Sequence, residues 1–223
     1  MEATSTIAGG SGRSSLADRK AAARRPAGNR DVPVRRRYRR AWLPALAALL
    51  CLAQAGWIHA KAVLAQWLLE RSWQARLTDG GTHAPWPWAD TWAVARLHAP
   101  SLGIRQVVLA GDDGRALAFG PGWARASAAP GQRGTTVISG HRDTHFAWLA
   151  QLRAGDMLEL ETRDGRRRYQ VRGTRIADSR HEHLTLDDDG DRLVLVTCWP
   201  FDAVPPGGPL RWVVEAQPLP PGG

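Results

Sequence analysis

Apolar residues are spread unevenly along the first part of the chain. Large apolar side chains are nearly absent before Val32, whereas Ala41 to Ala60, AWLPALAALLCLAQAGWIHA, holds twenty residues without a formal charge. One helix of that length can cross the hydrocarbon core of a membrane. Trp42 and Trp57 lie near its two ends, where aromatic rings favour the membrane interface. The pattern predicts a transmembrane helix over 41–60.

A second helical pattern follows directly. Apolar residues recur at helical spacing in Lys61 to Leu77, at Val63, Leu64, Trp67 and Leu68. The anchor is therefore predicted to continue as an amphipathic helix. Thr78 to Asp90, TDGGTHAPWPWAD, is rich in turn residues and ends it. We assign residues 61–90 to this helix and its linker.

From Thr91 onward the pattern changes to short β-type runs separated by Gly, Pro and Asp. There are eight of them: WAVARLHA, IRQVVLA, ALAFG, TTVISG, DMLELET, RRYQVRGTRIA, RLVLVTC and LRWVVEA. This spacing is typical of an all-β sandwich or barrel. Within this region, only Asp143 to Leu152 has a helical pattern. We predict a β domain over 91–217 and a C-terminal tail over 218–223.

Charge changes the interpretation of the N-terminus. The formal net charge is +9, and residues 1–40 hold 11 Lys/Arg against 3 acids, so the remaining residues are almost neutral. Such a tail buries too little apolar surface to fold and is predicted to be disordered. Its basic end, RRRYRR at Arg35 to Arg40, favours a cytoplasmic tail and an exported β domain. Nucleic-acid binding is the least favoured function, because the basic residues would face the cytoplasm and are accounted for by membrane orientation and contact with anionic lipid.

The apolar segment has two alternative interpretations besides an anchor. A cleaved signal peptide is the main one, although the apolar stretch is longer than a usual signal sequence and IHAKA around Lys61 is only a fair cleavage site. A buried helix of a soluble protein is disfavoured because the segment is apolar on all faces.

The two cysteines are predicted to remain unpaired. Cys51 falls in the middle of the anchor, and Cys198 ends the best strand of the exported domain, too far away for a disulfide. A lone thiol in a compartment where disulfides form calls for a chemical explanation.

A base and a cation occur in matching contexts. His141 follows the run TTVISG, so it also stands where a strand ends. A nearby imidazolium favours the thiolate, which is the nucleophilic form of cysteine. Arg211 begins the strand after the loop that follows Cys198, and its permanent charge could stabilise an oxyanion. Cys198, His141 and Arg211 form the predicted catalytic site.

These residues resemble a known family. VISGHRDTHF, LVTCWPFDA and GGPLRWVV, with FGPGW…SAAPGQRG upstream, are similar to the sortases, most closely to the class found in Gram-negative proteobacteria. The resemblance covers Val94 to Glu215. It implies a closed β-barrel of about eight strands with short helices, behind one N-terminal transmembrane helix. It also implies an inner-membrane location, with the N-terminus cytoplasmic and the barrel periplasmic.

The resemblance implies a cysteine transpeptidase. Cys198 would attack a backbone carbonyl in the C-terminal sorting signal of an exported protein and form a thioacyl enzyme. His141 would protonate the leaving amine and then deprotonate an amine acceptor, and Arg211 would stabilise the oxyanion or hold the substrate. Thr197, Trp199 and His145 are the expected substrate-binding residues. No cofactor is expected, and nucleic acid is not an expected partner.

Some of these residues have alternative interpretations. His145 lies four residues after His141, but HRDTH lacks the Glu of zinc protease helices, so no metal is expected. Arg180 to Asp191, RHEHLTLDDDGD, lacks the ligand spacing of a calcium loop and fits a solvated turn. Asp143 and Asp202 could orient His141, although capping of the adjoining helix fits Asp143 better. A tethered thiol hydrolase and a noncatalytic partner-binding domain remain the alternative functions.

Overall fold

A single long helix opens the part of the chain that the structure describes. The computed structural model describes residues 34–184, 186, 190–204 and 207–220, with side chains from residue 42 onward. Helix α1, Val34–Asp79, covers the predicted anchor and the predicted amphipathic segment without a break. Its first part belongs to a unit that ends at Leu52, and the rest belongs to a second unit that contains the barrel.

Helix α1 is long and apolar enough to cross a membrane. Its 46 residues would extend about 69 Å, against about 30 Å for the hydrocarbon core. A stretch of mean hydropathy 1.5 lies in its part from Trp42 onward, with the side chains exposed. The helix begins at Val34, so the prediction of a disordered tail through residue 40 is wrong for its last seven residues. Arginine is a good helix former, and the helix continues through it. The rest of that tail, residues 1–33, lies outside the described residues.

The second unit is a closed barrel of eight strands, as the sequence predicted. The strands are β1 Ala93–Ala99, β2 Ile104–Ala110, β3 Gly122–Trp123, β4 Thr135–Ser139, β5 Met157–Thr162, β6 Gly165–Asp178, β7 Arg192–Cys198 and β8 Leu210–Pro218. Their order around the barrel is β1-β2-β3-β4-β7-β8-β6-β5, and β5 closes on β1. The pairs β2/β3 and β4/β7 are parallel and the other pairs are antiparallel.

One predicted strand is wrong. The run ALAFG overlaps a one-turn helix, α2 Gly114–Leu117, and the strand in this part of the barrel is the two-residue β3. The Asp113 carboxylate accepts hydrogen bonds from the backbone N–H groups of Arg115 and Ala116, at 2.9 and 3.2 Å. This is an N-cap, and it commits the segment to a helical turn. The helical pattern over 143–152 corresponds to a 3₁₀ helix, Ala147–Gln151.

Strand β7 is buried on both faces near its centre. Leu193 and Leu195 lie in the barrel interior, while Val194 packs outside it in a smaller cluster with Val137 and Val213. Burial on both faces explains why this strand reads as an unbroken apolar run, LVLV. From Val196 the outer cover thins, since Val196 and Cys198 are only half-buried. The end of β7 is therefore where the outer face of the barrel becomes accessible.

The last turns of α1 pack against the barrel. Leu69 and Trp73 are fully buried in a cluster with Val107 and Leu109, and the Arg96 guanidinium pairs with Glu70. Of the apolar residues that set the sequence pattern, Val63, Leu64 and Trp67 are instead exposed. The predicted helix is confirmed, but a different face of it carries the packing.

Candidate active site

The ends of β4 and β7 lie side by side. The two strands are parallel, and Ser139 pairs with Val196 as the last pair in register. The Gly140 N–H still donates to the Val196 carbonyl, at 3.1 Å. The Thr197 hydroxyl donates to the Gly140 carbonyl, at 2.7 Å. Continuing this register by two residues on each strand brings His141 opposite Cys198, at the same end of the barrel.

Thr197 has a structural position in this arrangement. Its side chain is only 2% exposed and points into the barrel, where the hydroxyl ties β7 to the end of β4. A substrate cannot reach a hydroxyl that is buried in this way, so the expected contact between Thr197 and a substrate does not fit its position. The contacts of Thr197 indicate that it positions the segment leading to His141.

Cys198 and Arg211 are neighbours across the β7/β8 pair. They are directly opposite in the register, so their side chains leave the sheet on the same face. The neighbouring pair, Trp199 and Leu210, is a hydrogen-bonded pair of the antiparallel ladder, because the Trp199 N–H donates to the Leu210 carbonyl at 3.0 Å. The Cys198/Arg211 pair is then of the closer, non-hydrogen-bonded type, with Cα atoms about 4.5 Å apart. The predicted thiol and cation are thus adjacent in the fold.

The Arg211 guanidinium is held by backbone carbonyls of the preceding loop. Its Nη1 donates to the carbonyls of Gly208 and Leu210, at 2.6 and 3.0 Å. Arg211 also lines a depression of 310 Å³ on the outer face of the barrel, which we call the Arg211 groove. Its other walls include Val196, Val213, Ala177, Leu184 and Glu182. The groove thus combines apolar walls with two cations, Arg211 and Arg175.

His141 opens a tight turn after β4. Its carbonyl accepts from the N–H of Phe146, at 2.9 Å, and its side chain is exposed. Gly140 precedes it for a steric reason, because a Cβ at this position would lie 2.6 Å from the Phe146 ring. The need for glycine here therefore comes from the close approach of that ring.

His145 is half-buried and tied to the scaffold. Its carbonyl accepts from Gln106 Nε2 and Trp148 Nε1, both at 2.8 Å. Burial lowers the pKa of the His145 ring, and the nearby charge of His141 acts in the same direction. Both effects favour the neutral form of the His145 ring. Contact between His145 and a substrate stays a prediction.

Asp143 does not cap the following helix. The 3₁₀ helix begins after Phe146 and has no side-chain cap. Instead the Asp143 carboxylate pairs with Arg142, with Arg142 Nε 2.7 Å from Oδ1. These hydrogen bonds hold the pKa of Asp143 below its ordinary value. The capping prediction is wrong because the adjacent guanidinium takes both carboxylate oxygens.

Arg142 is a site residue that the sequence analysis missed. It follows His141, yet its side chain is buried and donates to the carbonyls of Pro200 and Ala203, at 2.6 and 2.8 Å. Both acceptors belong to the loop between β7 and β8, just after Cys198. The order His141, Arg142, Asp143 could have indicated the ion pair, since an arginine beside an aspartate can form a bidentate pair.

Trp199 belongs to an aromatic cluster next to the thiol. Its ring stacks on Trp212 with centroids 5.1 Å apart and meets Phe201 edge-on at 5.6 Å. Trp212 and Phe201 also pack against the barrel core. The cluster fixes the backbone that leaves Cys198, and substrate binding by Trp199 stays a prediction. Asp202, in the same loop, is exposed.

These features define a class of protein: a β-barrel with a thiol, an imidazole and a guanidinium at neighbouring strand ends. A family model described as Sortase domain matches residues 97–219, more than half of the chain. The chain therefore belongs to the sortase family, whose members are cysteine transpeptidases.

A curated relative supports the assignment at the level of sequence. Sortase D of Bacillus subtilis (strain 168) is 33% identical over 122 residues, which are 54% of this chain and 61% of the relative. The match thus spans about three fifths of that protein's length. It does not show the Gram-negative proteobacterial class that the motifs suggested.

Solved structures support the fold. A Sortase D5 transpeptidase of Clostridium perfringens superposes with a TM-score of 0.58 at 19% identity, covering 71% of this chain and 99% of that one. Sortase C-1 of Actinomyces oris gives a TM-score of 0.51 at 25% identity, covering 57% of this chain and 73% of that one. The closed barrel is therefore the sortase fold.

Proposed function

We propose that this protein is a membrane-anchored sortase that joins an exported protein to an amine acceptor through a thioacyl intermediate. One observation carries the proposal: Cys198 at the end of β7 has Arg211 directly opposite it on β8 and the His141 segment beside it after β4. A nucleophile, a permanent cation and a proton carrier are the groups that acyl transfer needs.

The chemistry follows from these positions. The Cys198 thiolate attacks the carbonyl of a peptide bond in a C-terminal sorting signal, and the resulting oxyanion accepts hydrogen bonds from Arg211. His141 protonates the leaving amine as the C–N bond breaks, which leaves a thioester on Cys198. An amine acceptor, deprotonated by the same imidazole, then attacks the thioester and releases the thiolate. The exposed side of His141 gives both amines access.

The reaction is tested by trapping the intermediate on the thiol. Full-length protein in detergent is incubated with a library of extended peptides, and intact mass spectrometry is used to look for an acyl adduct that hydroxylamine releases. The chain supplies its own control, because Cys51 lies in α1 and Cys198 in the barrel. The adduct is expected in the parent protein and in Cys51→Ala, and not in Cys198→Ala.

Two outcomes would overturn the proposal. Turnover that persists in Cys198→Ala would remove the thiol from the mechanism. A folded protein whose Cys198 resists a small thiol reagent would favour the noncatalytic, partner-binding function. Products made with and without an added amine separate transfer from hydrolysis, and water as the sole acceptor would make the protein a tethered thiol hydrolase.

We further propose the topology of the chain. Helix α1 crosses the inner membrane of a Gram-negative cell once, with residues 1–40 in the cytoplasm and the barrel in the periplasm. The support is the excess of 11 Lys/Arg over 3 acids before the apolar stretch. Protease should digest the barrel in spheroplasts and spare it in inverted vesicles, and the reverse pattern would refute the orientation. The mass of the mature chain tests whether the N-terminal segment is retained.

A further inference from the structure

The strongest unassigned feature near the site is the buried side chain of Arg142. Its guanidinium is only 6% exposed although the residue follows the exposed His141. Arginine side chains are almost never buried unless every charge and donor has a partner. The partners of Arg142 therefore indicate what the residue does.

The guanidinium joins two segments that are distant in sequence. Through Nε and Nη2 it forms a bidentate pair with Asp143, at 2.7 and 3.1 Å. Through Nη1 and Nη2 it donates to the carbonyls of Pro200 and Ala203. Asp143 lies in the turn that presents His141, while Pro200 is two residues after Cys198. One rigid fork thus connects the backbone on the base side of the site to the backbone on the thiol side.

A lysine could not make the same set of contacts. The planar fork of arginine directs its donors in fixed directions, whereas an ammonium has one centre. The two loop carbonyls and the two carboxylate oxygens are reached from three different nitrogens. The geometry of the clamp and the charge of the clamp can therefore be separated by substitution.

Several charged groups act near Cys198. Arg142, Asp143 and His141 come from the turn after β4, Asp202 from the loop after β7, and Arg211 from β8. The Asp143 hydrogen bonds raise the pKa of Arg142, and the charges of Cys198 and Asp202 act in the same direction. The guanidinium of Arg142 therefore stays protonated and keeps all of its N–H donors.

We propose that Arg142 is a positioning residue of the proposed transpeptidase: its guanidinium clamps the loop after Cys198 to the turn that carries His141. The inference rests on the proposed function and adds a residue to it. Arg142 is buried and the chain takes four of its five N–H donors, so it acts on the backbone of the site and not on the substrate.

The clamp is tested with two substitutions. Arg142→Gln removes both the charge and the fork, while Arg142→Lys keeps the charge and removes the fork. In a Cys51→Ala background, two rates are measured: thioacyl formation, which needs both Cys198 and His141, and alkylation of Cys198 by iodoacetamide, which needs no peptide substrate and no contribution from His141. We expect alkylation to stay close to the parental rate in both variants, because the thiol remains accessible. Both variants should form the thioacyl adduct about tenfold or more slowly, because the spacing of base and thiol is lost.

The controls make each outcome decisive. Arg166→Gln removes an arginine that pairs with Glu159 and Glu161 and does not line the Arg211 groove. It should leave both rates unchanged. Circular dichroism identifies any variant that fails to fold, and Asp143→Asn then tests the clamp with Arg142 intact, with a slower adduct expected. Parental adduct rates in folded Arg142→Gln and Arg142→Lys would overturn the inference. Alkylation of Cys198 without any peptide adduct in the parent protein would instead fault the proposed function.

Discussion

The hydrogen bond between Thr197 and Gly140 gives the sharpest test of how the site is held. The Thr197→Val substitution keeps a β-branched side chain of nearly the same shape in β7 and removes only the hydroxyl. The Gly140 carbonyl, also buried, then loses the donor that now lies 2.7 Å from it. A buried group left without its partner costs about 1–3 kcal/mol. We expect the free energy of unfolding to fall by that amount.

The same loss should slow the chemistry. Gly140 immediately precedes His141, so a looser Gly140 widens the range of positions that the imidazole adopts relative to Cys198. Each 1.4 kcal/mol corresponds to about a factor of ten, and we expect thioacyl formation to slow by about that factor. Unfolding in urea is followed by tryptophan fluorescence, and acylation by intact mass.

Thr135→Val is the matched control. Thr135 is a buried threonine on β4, but within the described residues its hydroxyl has no hydrogen-bond partner. Replacing a hydroxyl that lacks a partner by a methyl group removes a desolvation cost. Thr135→Val should leave stability unchanged or raise it slightly. Equal stabilities for the two variants would show that the Thr197 hydrogen bond does not hold the strand ends together.

Two further predictions concern packing and acid stability. Gly140→Ala places a methyl group 2.6 Å from the Phe146 ring and should lower the free energy of unfolding, measured by a thermal melt, by about 1–3 kcal/mol. Gly173→Ala is the control: nothing lies within 4 Å of that position, so this steric loss should not occur. Burial alone would raise the pKa of Glu161, but the hydrogen bond from His98 and the charges of nearby arginines outweigh it and bring the pKa below its ordinary value of 4.5. The carboxylate therefore stabilises the fold above pH 4.5, and this contribution is lost as the pH falls through the lowered pKa. Glu161→Gln should flatten that acid limb of the stability profile, and an unchanged limb would refute the assignment.

The sequence predicted the long strands well because their signal is local. Strand β7 could be recognised from LVLV alone, since both of its faces are covered. The run ALAFG was wrongly predicted as a strand because it is mostly apolar, whereas the only sign of the helical turn was the N-capping Asp113 before it. Strand β3 has two residues and so no periodicity to detect.

Only those site residues whose type itself indicates a chemical role could be predicted from the sequence. Cys198, His141 and Arg211 are distinctive residue types at strand ends, and the register brings their backbones together. The clamp of Arg142 was not predictable in the same way. Its loop acceptors are backbone carbonyls 58 and 61 residues away, and any residue type supplies a carbonyl.

The packing of Trp73 and Arg96 between the end of α1 and the barrel bears on how this domain could be released by proteolysis. A cut in the segment 80–91 would sever the chain but leave Trp73 buried and Arg96 paired with Glu70. The two fragments would remain associated, and a barrel freed of the helix would expose the apolar surface around Val107 and Leu109. A soluble form of this domain must therefore keep the last turns of the helix, so shedding requires a cut upstream of Leu69.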